Sequence, residues 1–457
     1  MMKKLLAFLL LSATPLTASA AENRLLAAVK TDDHAALKKL LAAHANVNAP
    51  LADKSTVLAW AVDRQDEDSV KMLLAAGAKP DAADVTGATP LMLACEMGQP
   101  GIVTALLRAG ASAKQTRPDG ISVMALCAGS STPEVLALLT AKGANVNAAD
   151  PQGQTPLMWA AIKGRTDNIN FLVKHGANVN AVEQKGFTPL FFALRSKVPG
   201  ASMALLNAGA DLKAVLPADG TSVAAAAIIE DNVAFAREVA ARGPDLTQHD
   251  HEGRQLIHIA AASGNAELVK IVLAKGADPN AMSTPPKPPA PVQIAANAAG
   301  GGDKKVRADG SALPGPPPPP SMPPLLFAAK VGSAPAMKAL VEGGAKPNLK
   351  ADDGTTLALA AASGGNLEAL KYALTLDPDL TAIGPGGKSI MHYAIANKEP
   401  TETIAMLQYL IDKGAKLDVP DTRGDTPGDA INRGGVQEVR LFYMQVLKDR
   451  GITSVRH

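Results

Sequence analysis

A glycine recurs every 33 residues along much of this 457-residue chain. The first column consists of Gly77, Gly110, Gly143, Gly176 and Gly209. A second column with the same period consists of Gly87, Gly120, Gly153, Gly186 and, one residue late, Gly220. A fixed period of this length indicates stacked repeats, because one such repeat is too small to bury its apolar face alone. The composition agrees, since 47% of the residues are hydrophobic but only 3% are aromatic, which suits closely packed helices better than one thick core.

Each period contains the same order of local signals. A Thr-Pro pair such as Thr89-Pro90 predicts a helix start, because the hydroxyl can cap the helix and proline is tolerated at its first position. A leucine-rich segment at helical spacing follows, for example residues 102–108, and ends near Gly110, where glycine can adopt the left-handed cap conformation. An extended tail, such as residues 176–181, completes the unit. One unit is therefore predicted to be a turn, a helix, a tight turn, a helix and an extended loop.

The strings GATPLMLA, GQTPLMWAA and GFTPLFFA, with the tails GANVNA and GADPNA, resemble the ankyrin repeat. The resemblance implies an all-α solenoid of about twelve helix-turn-helix units with loop tips. It also implies a concave groove lined by the loop tips and the first helix of each unit. The units begin near Glu22, Pro50, Ala83, Thr116, Ala149, Val182, Leu216, His249, Ser321, Ala351, Ala382 and Val419. His44 and Asp377 stand where the left-handed glycine is expected.

A proline- and glycine-rich stretch, residues 282–320, interrupts the repeats. Residues 282–324 contain 13 of the 34 prolines, a composition that favours extended, hydrated backbone over a packed core. We predict a disordered insertion there, between repeats 1–8 in residues 21–281 and repeats 9–12 with a C-terminal cap in residues 321–457. The alternative is a docking arm beside the groove.

Residues 1–20 have the three parts of a secretory signal peptide. Lys3 and Lys4 precede a short apolar run, and Ala18-Ser19-Ala20 fits a cleavage site. We therefore expect a periplasmic protein, with full secretion as the less favoured destination. No membrane insertion is expected, because no apolar run reaches about 18 residues. The formal net charge is only +2, so no basic field predicts binding to nucleic acid.

Signatures of catalytic and metal chemistry are missing from the sequence. No CxxC, HExxH or GxSxG string occurs, so we predict no enzyme activity, no catalytic residue, no cofactor and no metal site. His258 and His392 occupy the Thr-Pro-Leu-His position of the resembled family, which implies hydrogen bonds to neighbouring loop backbone. His249 and His251 are expected on a solvated tip rather than in a metal site.

Cys95 and Cys127 are the two cysteines of the chain, and they fall on the first helices of adjacent units, one position out of register. A disulfide is compatible with an oxidising compartment. Stacked helices, however, lie roughly 8–10 Å apart, whereas bridged Cα atoms need about 4.4–6.8 Å. We therefore favour two buried free thiols, with the disulfide as the alternative.

Several of the few aromatic residues share one position of the repeat. This column contains Trp60, Trp159, Phe192, Phe327 and Tyr393. We favour core packing between repeats for the column, and an apolar ridge on the groove side is the alternative. Aromatic residues are densest in the fifth and sixth units, and interface hot spots favour aromatic residues and arginine. The predicted partner-binding residues are Trp159, Lys185, Phe187, Phe191 and Arg195.

The predicted function is binding. We expect a monomeric, non-catalytic scaffold in the periplasm that binds a protein partner through the concave face. The alternatives are an immunity or inhibitor protein that neutralises a toxin or enzyme in the periplasm, and a secreted effector that acts in another cell. An enzyme with its site in the insertion is disfavoured, because that segment has no histidine or cysteine.

Overall fold

The computed structural model describes residues 24–51, 53–284 and 319–452. The predicted signal peptide and residues 285–318 of the predicted insertion lie outside these ranges. The chain divides into two compact units between Ala214 and Val215. Within the described residues the secondary structure is almost entirely helical, which confirms the predicted all-α class.

The helices pair along the chain, and each pair corresponds to one repeat. In the first unit, helical residues 24–30 pair with α1 (His34–Ala42), followed by the pairs α2 (Val57–Asp63) and α3 (Glu67–Ala75), α4 (Pro90–Glu96) and α5 (Pro100–Arg108), α6 (Val123–Ser130) and α7 (Pro133–Ala141), α8 (Pro156–Ile162) and α9 (Thr166–Lys174), and α10 (Pro189–Arg195) and α11 (Pro199–Asn207).

The second unit continues the same order. Its pairs are α12 (Val223–Ile229) and α13 (Val233–Ala241), α14 (Leu256–Ser263) and α15 (Ala266–Leu273), α16 (Pro324–Lys330) and α17 (Ala334–Glu342), α18 (Leu357–Ser363) and α19 (Leu367–Leu376), α20 (Ile390–Ala394) and α21 (Pro400–Asp412), and α22 (Pro427–Gly434) and α23 (Gln437–Asp449). A short antiparallel hairpin, β1 (Ile383–Gly384) and β2 (Lys388–Ser389), precedes α20. The described residues thus contain twelve helix pairs, and none of their helices is long and apolar enough to cross a membrane.

The helix boundaries follow the predicted capping signals. The Thr89 hydroxyl accepts the backbone N–H of Met92 at 3.4 Å, and Pro90 is the first residue of α4. Thr188 differs, because its buried hydroxyl has no hydrogen-bond partner among the described residues. At the other end of the repeat, Gly110 has a φ of +96° and His44 keeps a left-handed φ of +55°, whereas Asp377 has a φ of −136°. His44 therefore keeps the left-handed cap conformation that glycine adopts in other repeats, and Asp377 does not.

The asparagines of the extended tails join successive repeats. The Asn147 side chain donates to the carbonyl of Gly176 at 2.9 Å and accepts the backbone N–H of Asn178 at 2.8 Å. Asn280 makes the same pair of bonds, to Gly344 and Lys346, at 3.0 and 2.8 Å. Since Asn280 precedes residues 285–318 and its partners follow them, repeats eight and nine stack directly on each other.

The two segments of the chain that flank residues 285–318 lie side by side. The backbone N–H of Ser283 donates to the carbonyl of Met322 at 3.0 Å, and the Ser283 hydroxyl accepts the N–H of Met322 at 3.0 Å. Thr284 donates its N–H to Gly253 at the neighbouring loop tip, at 2.8 Å. The interruption in sequence therefore begins and ends at one loop tip of the second unit.

Cys95 on α4 and Cys127 on α6 form a disulfide, with Cα atoms 4.6 Å apart. The expectation of two free thiols was wrong, because it compared the spacing of helix axes with a distance between Cα atoms. Each Cα lies about 2.3 Å from its helix axis, so facing Cα atoms come roughly 4–5 Å closer than the axes do. The Ser130 hydroxyl also donates to the Cys95 carbonyl, which shows how closely the two helices approach. Both cysteines are fully buried.

Candidate protein-binding surface

An aromatic cluster forms where the loop tip of the sixth repeat meets α10. The Phe187 ring lies at the tip, 5.7 Å from the Phe192 ring and 6.0 Å from the Phe191 ring between centroids, and its contact with Phe191 is edge-on. The Arg195 guanidinium lies 5.9 Å from the centre of the Phe187 ring, at the limit of a cation–π contact. We call the surface made by the loop tips and first helices of the first unit the tip face. Phe187, Phe192 and Arg195 lie together on it.

Phe191 does not belong to the exposed part of this cluster. Its side chain is only 2% exposed, so it cannot contact a partner directly, and the prediction that it is a binding residue was wrong. Neighbouring residues on a helix point about 100° apart, since 3.6 residues complete a turn. Phe191 therefore points into the core beneath Phe187, while Phe192 is half-buried at the surface.

Trp159 lies one repeat away, on α8. It is half-buried, and its indole N–H is buried without an acceptor among the described residues. Its ring lies against Gly129 of α6, where an added Cβ would come within 3.8 Å of the indole. In the described part of the chain no ring contact joins Trp159 to the Phe187 cluster. Trp159 and Phe192 instead share the same position on successive first helices.

The charges around the cluster are positive. Lys185 at the tip and Arg195 on α10 are exposed, as is Lys163 at the end of α8. None of the three forms an ion pair within residues 24–51, 53–284 and 319–452. The nearest tip carboxylate, Glu183, is buried and accepts the backbone N–H groups of Lys185 and Phe187 at 2.9 and 3.0 Å. The three cations thus remain available to an acidic partner.

The third and fourth repeats carry the opposite charge. A cleft of about 420 Å³ opens between their tips, with Asp84, Glu96 and Asp119 in its wall. Arg117 lies between Glu96 and Asp119 and donates to both carboxylates. Partial burial raises the pKa of Asp84, but the hydrogen bonds from Thr86 and from the backbone of Ala88 together outweigh burial and hold the pKa below its usual value. The tip face therefore runs from a net acidic cleft to a basic aromatic cluster.

The predicted aromatic column contributes to this face as a ridge. Trp60, Trp159 and Phe192 are half-buried in the first unit, as is Leu93 at the same position of the third repeat, while Leu126 at that position of the fourth repeat is buried. Lys30 lies 4.0 Å from the centre of the Trp60 ring, so this end of the ridge already carries a cation–π contact. Partial exposure favours the apolar-ridge interpretation over core packing alone.

Two buried histidines hold loops in the second unit. His258 Nε2 lies 2.9 Å from the Ala281 carbonyl, and its Nδ1 accepts the backbone N–H of Gln255 at 3.1 Å. His392 Nε2 lies 3.1 Å from the Asp425 carbonyl, and its Nδ1 accepts the N–H of Ser389 at 3.2 Å. These contacts confirm their predicted bonds to loop backbone. Burial lowers the pKa of both imidazoles.

His251, at a loop tip, also bonds a neighbouring loop, with Nδ1 3.0 Å from the Ala218 carbonyl. In the described part of the chain, no three histidine, cysteine, aspartate or glutamate side chains are grouped to hold a metal ion.

Two further residues, Phe192 and Lys163, lie at the candidate site although they were not among the predicted binding residues. Phe192 touches Phe187, and Lys163 adds an unpaired charge near α8. The signal for Phe192 was present in the aromatic column, because that position faces the tips rather than the core. Lys163 had no comparable signal, since its location depends on where α8 ends.

Models of the ankyrin repeat match most of the chain. One described as "Ankyrin repeats (3 copies)" matches residues 25–119, 121–215 and 325–421, and one described as "Ankyrin repeat" matches residues 252–284. The potassium channel AKT1 of Arabidopsis thaliana is 30% identical over 104 residues, which are 23% of this chain and 12% of that protein. The human ASB11 ankyrin repeat domain is 31% identical in sequence with a TM-score of 0.39, over 44% of this chain and 89% of that chain. Because the matched models cover more than half of its residues, the chain belongs to the ankyrin repeat family.

Proposed function

We propose that the chain binds a protein partner through the tip face of its first unit, without a covalent step. Ankyrin repeats indicate a protein–protein interaction scaffold, a fold that is typically non-catalytic. We choose this surface because Phe187, Phe192 and Arg195 form a cluster on it. Interface hot spots are rich in aromatic residues and arginine, and here an exposed arginine lies beside two half-buried phenylalanine rings.

The positive charges at this surface indicate which chemical groups a partner should present. Lys163, Lys185 and Arg195 have no acidic neighbour in an ion pair among the described residues, so a partner that places carboxylates over them gains attraction without breaking an existing bond. The half-buried rings favour an apolar side chain beside those carboxylates. We therefore propose an acidic segment with an apolar anchor as the part of the partner that docks here.

We further propose that the protein acts as a monomer in the periplasm, to which residues 1–20 direct it. The buried disulfide between Cys95 and Cys127 supports this location, because disulfides form in oxidising compartments and are rare in the cytosol. Cell fractionation tests the location directly. Recovery of the protein in the cytosolic fraction, with both thiols free to alkylation after denaturation, contradicts it.

Cross-linking in the native envelope, followed by mass spectrometry, tests the binding surface. A tagged variant with Phe187→Ala and Arg195→Ala is compared with a matched control, Tyr409→Ala with Lys413→Ala. The control removes another ring and cation, which lie 5.6 Å apart at the C-terminal end of α21 in the second unit. Truncation of two hot-spot residues at about 1–2 kcal/mol each corresponds to roughly a 30- to 800-fold loss of affinity.

The expected result is loss of the cross-linked partner in the first variant and retention in the control. Equal capture by both variants excludes this surface. Capture of a single incoming toxin or enzyme that dissociates slowly supports the inhibitor function instead of a general scaffold.

A further inference from the structure

A second cleft, of about 520 Å³, opens between the eleventh and twelfth repeats of the second unit. Its size falls within the range of small-ligand sites, roughly 300–1,000 Å³. The walls come from α20, the loop tip around Asp421 and the C-terminal end of α22. Ile395, Ile431 and Val436 supply an apolar part of the lining.

Four cationic side chains line this cleft, namely Lys388, Lys398, Arg423 and Arg433. The arginines are already engaged. Arg433 donates two hydrogen bonds to Asp425, at 2.9 and 2.5 Å, and Arg423 donates two to Asp421, at 3.4 and 3.2 Å.

Unlike the two arginines, Lys388 and Lys398 do not contact a carboxylate among the described residues. Both are exposed, and neither ammonium group has an ion pair or hydrogen bond within the described residues. The cleft therefore carries two positive charges that no neighbouring carboxylate neutralises, next to an apolar wall. A cavity with this lining favours a ligand that combines negative charge with aliphatic surface.

We propose that the cleft binds an acidic peptide segment in which carboxylate side chains flank an aliphatic side chain. The free lysine ammonium groups would pair with the carboxylates, and Ile395 and Ile431 would contact the aliphatic group. Both guanidinium groups already donate to Asp421 and Asp425, so the charge offered to a ligand is that of the two lysines rather than that of a bidentate arginine. This site lies in the second unit and does not depend on the surface proposed above.

Gly434 offers a way to fill the cleft without disturbing the fold. It is the last residue of α22, it lines the cleft, and a Cβ added there meets no atom within 4 Å. A Gly434→Phe variant is therefore expected to fold and to occupy part of the binding space. A second variant, Lys388→Gln with Lys398→Gln, removes the free charges. The control is Lys413→Gln with Lys416→Gln, two exposed lysines of the same unit outside the cleft.

Fluorescence polarisation with the full chain measures binding of a short labelled peptide of alternating glutamate and leucine at low ionic strength. We expect saturable binding by the wild type and the control, and about a tenfold loss in each cleft variant. For the lysine variant, tenfold corresponds to ~1.4 kcal/mol, or about 0.7 kcal/mol for each lysine, within the range of exposed ion pairs.

Three results would overturn the proposal. The first is a wild type that does not bind the peptide, or that binds its glutamine counterpart equally well. The second is equal affinity in the cleft variants and the control. The third is succinate binding as tight as that of the peptide, which would assign the cleft to a small dicarboxylate.

Discussion

Protonation of His258 should destabilise the second unit. The side chain is fully buried on α14, and burial lowers its pKa from 6.5 to about 4. Its Nδ1 accepts the Gln255 N–H, so the neutral ring carries its proton on Nε2 and donates it to the Ala281 carbonyl. A charged imidazolium would have to give up the Gln255 bond and its hydration together.

The lowered pKa fixes the sign of the pH dependence. Above about pH 7.5 His258 is neutral in both the folded and the unfolded chain, and its contribution to stability is complete. As the pH falls towards 4, the unfolded chain binds a proton that the folded chain does not, so the free energy of unfolding decreases. With a folded pKa of about 4 and an unfolded pKa of 6.5, the decrease between pH 8 and pH 5 is ~2 kcal/mol.

A His258→Gln variant removes this titration and leaves the other groups in place. Urea unfolding followed by circular dichroism gives the free energy of unfolding of both proteins at pH 8 and at pH 5. The wild type should lose ~2 kcal/mol more than the variant over this interval, because the contributions of the other groups cancel in the comparison. A stability difference between the two proteins that stays constant from pH 8 to pH 5 would refute the reasoning.

Three further changes test features of the first unit. Replacing Cys95 and Cys127 by alanine should lower the free energy of unfolding by about 3–4 kcal/mol, since the bridge closes a loop with a sequence separation of 32; urea unfolding that matches the oxidised wild type would contradict this. Asn147→Ala should cost about 1–2 kcal/mol, because it removes both bonds to the next repeat. Faster hydrogen exchange at Asn178 measures that loss, and unchanged exchange argues against it. Trp159→Phe should cost less than about 1 kcal/mol, because it removes a buried N–H without an acceptor. A melting curve showing a loss above ~2 kcal/mol would mean that the N–H has a partner.

Local signals account for most of what could be predicted about the fold. Thr89 and Pro90 begin a helix, and Gly110 ends a repeat, because capping and left-handed backbone depend on neighbouring residues only. His258 could be placed against loop backbone for a related reason, since its motif recurs in each repeat of the resembled family. These features lie within one period of the chain.

The candidate site was predictable only in part. Phe187 and Arg195 were both predicted to bind a partner, and they lie near each other because the turn and the end of α10 are separated by a fixed number of helical residues. Phe191 was wrongly placed at the surface, since the sequence gives no absolute rotation for a helix of seven residues that is apolar over most of its length. The cleft beside Lys388 had no sequence signal, because its lining comes from two repeats.

The sequence by itself determined the period, the order of helices in each repeat and the positions of their ends, all of which follow from short-range backbone preferences. Tertiary structure decided how closely adjacent first helices approach, and therefore that Cys95 and Cys127 meet at 4.6 Å between Cα atoms. It also decided that Phe192 rather than Phe191 lies at the surface. The physical reason is that lateral packing depends on the combined shapes of side chains from neighbouring repeats, which no single repeat contains.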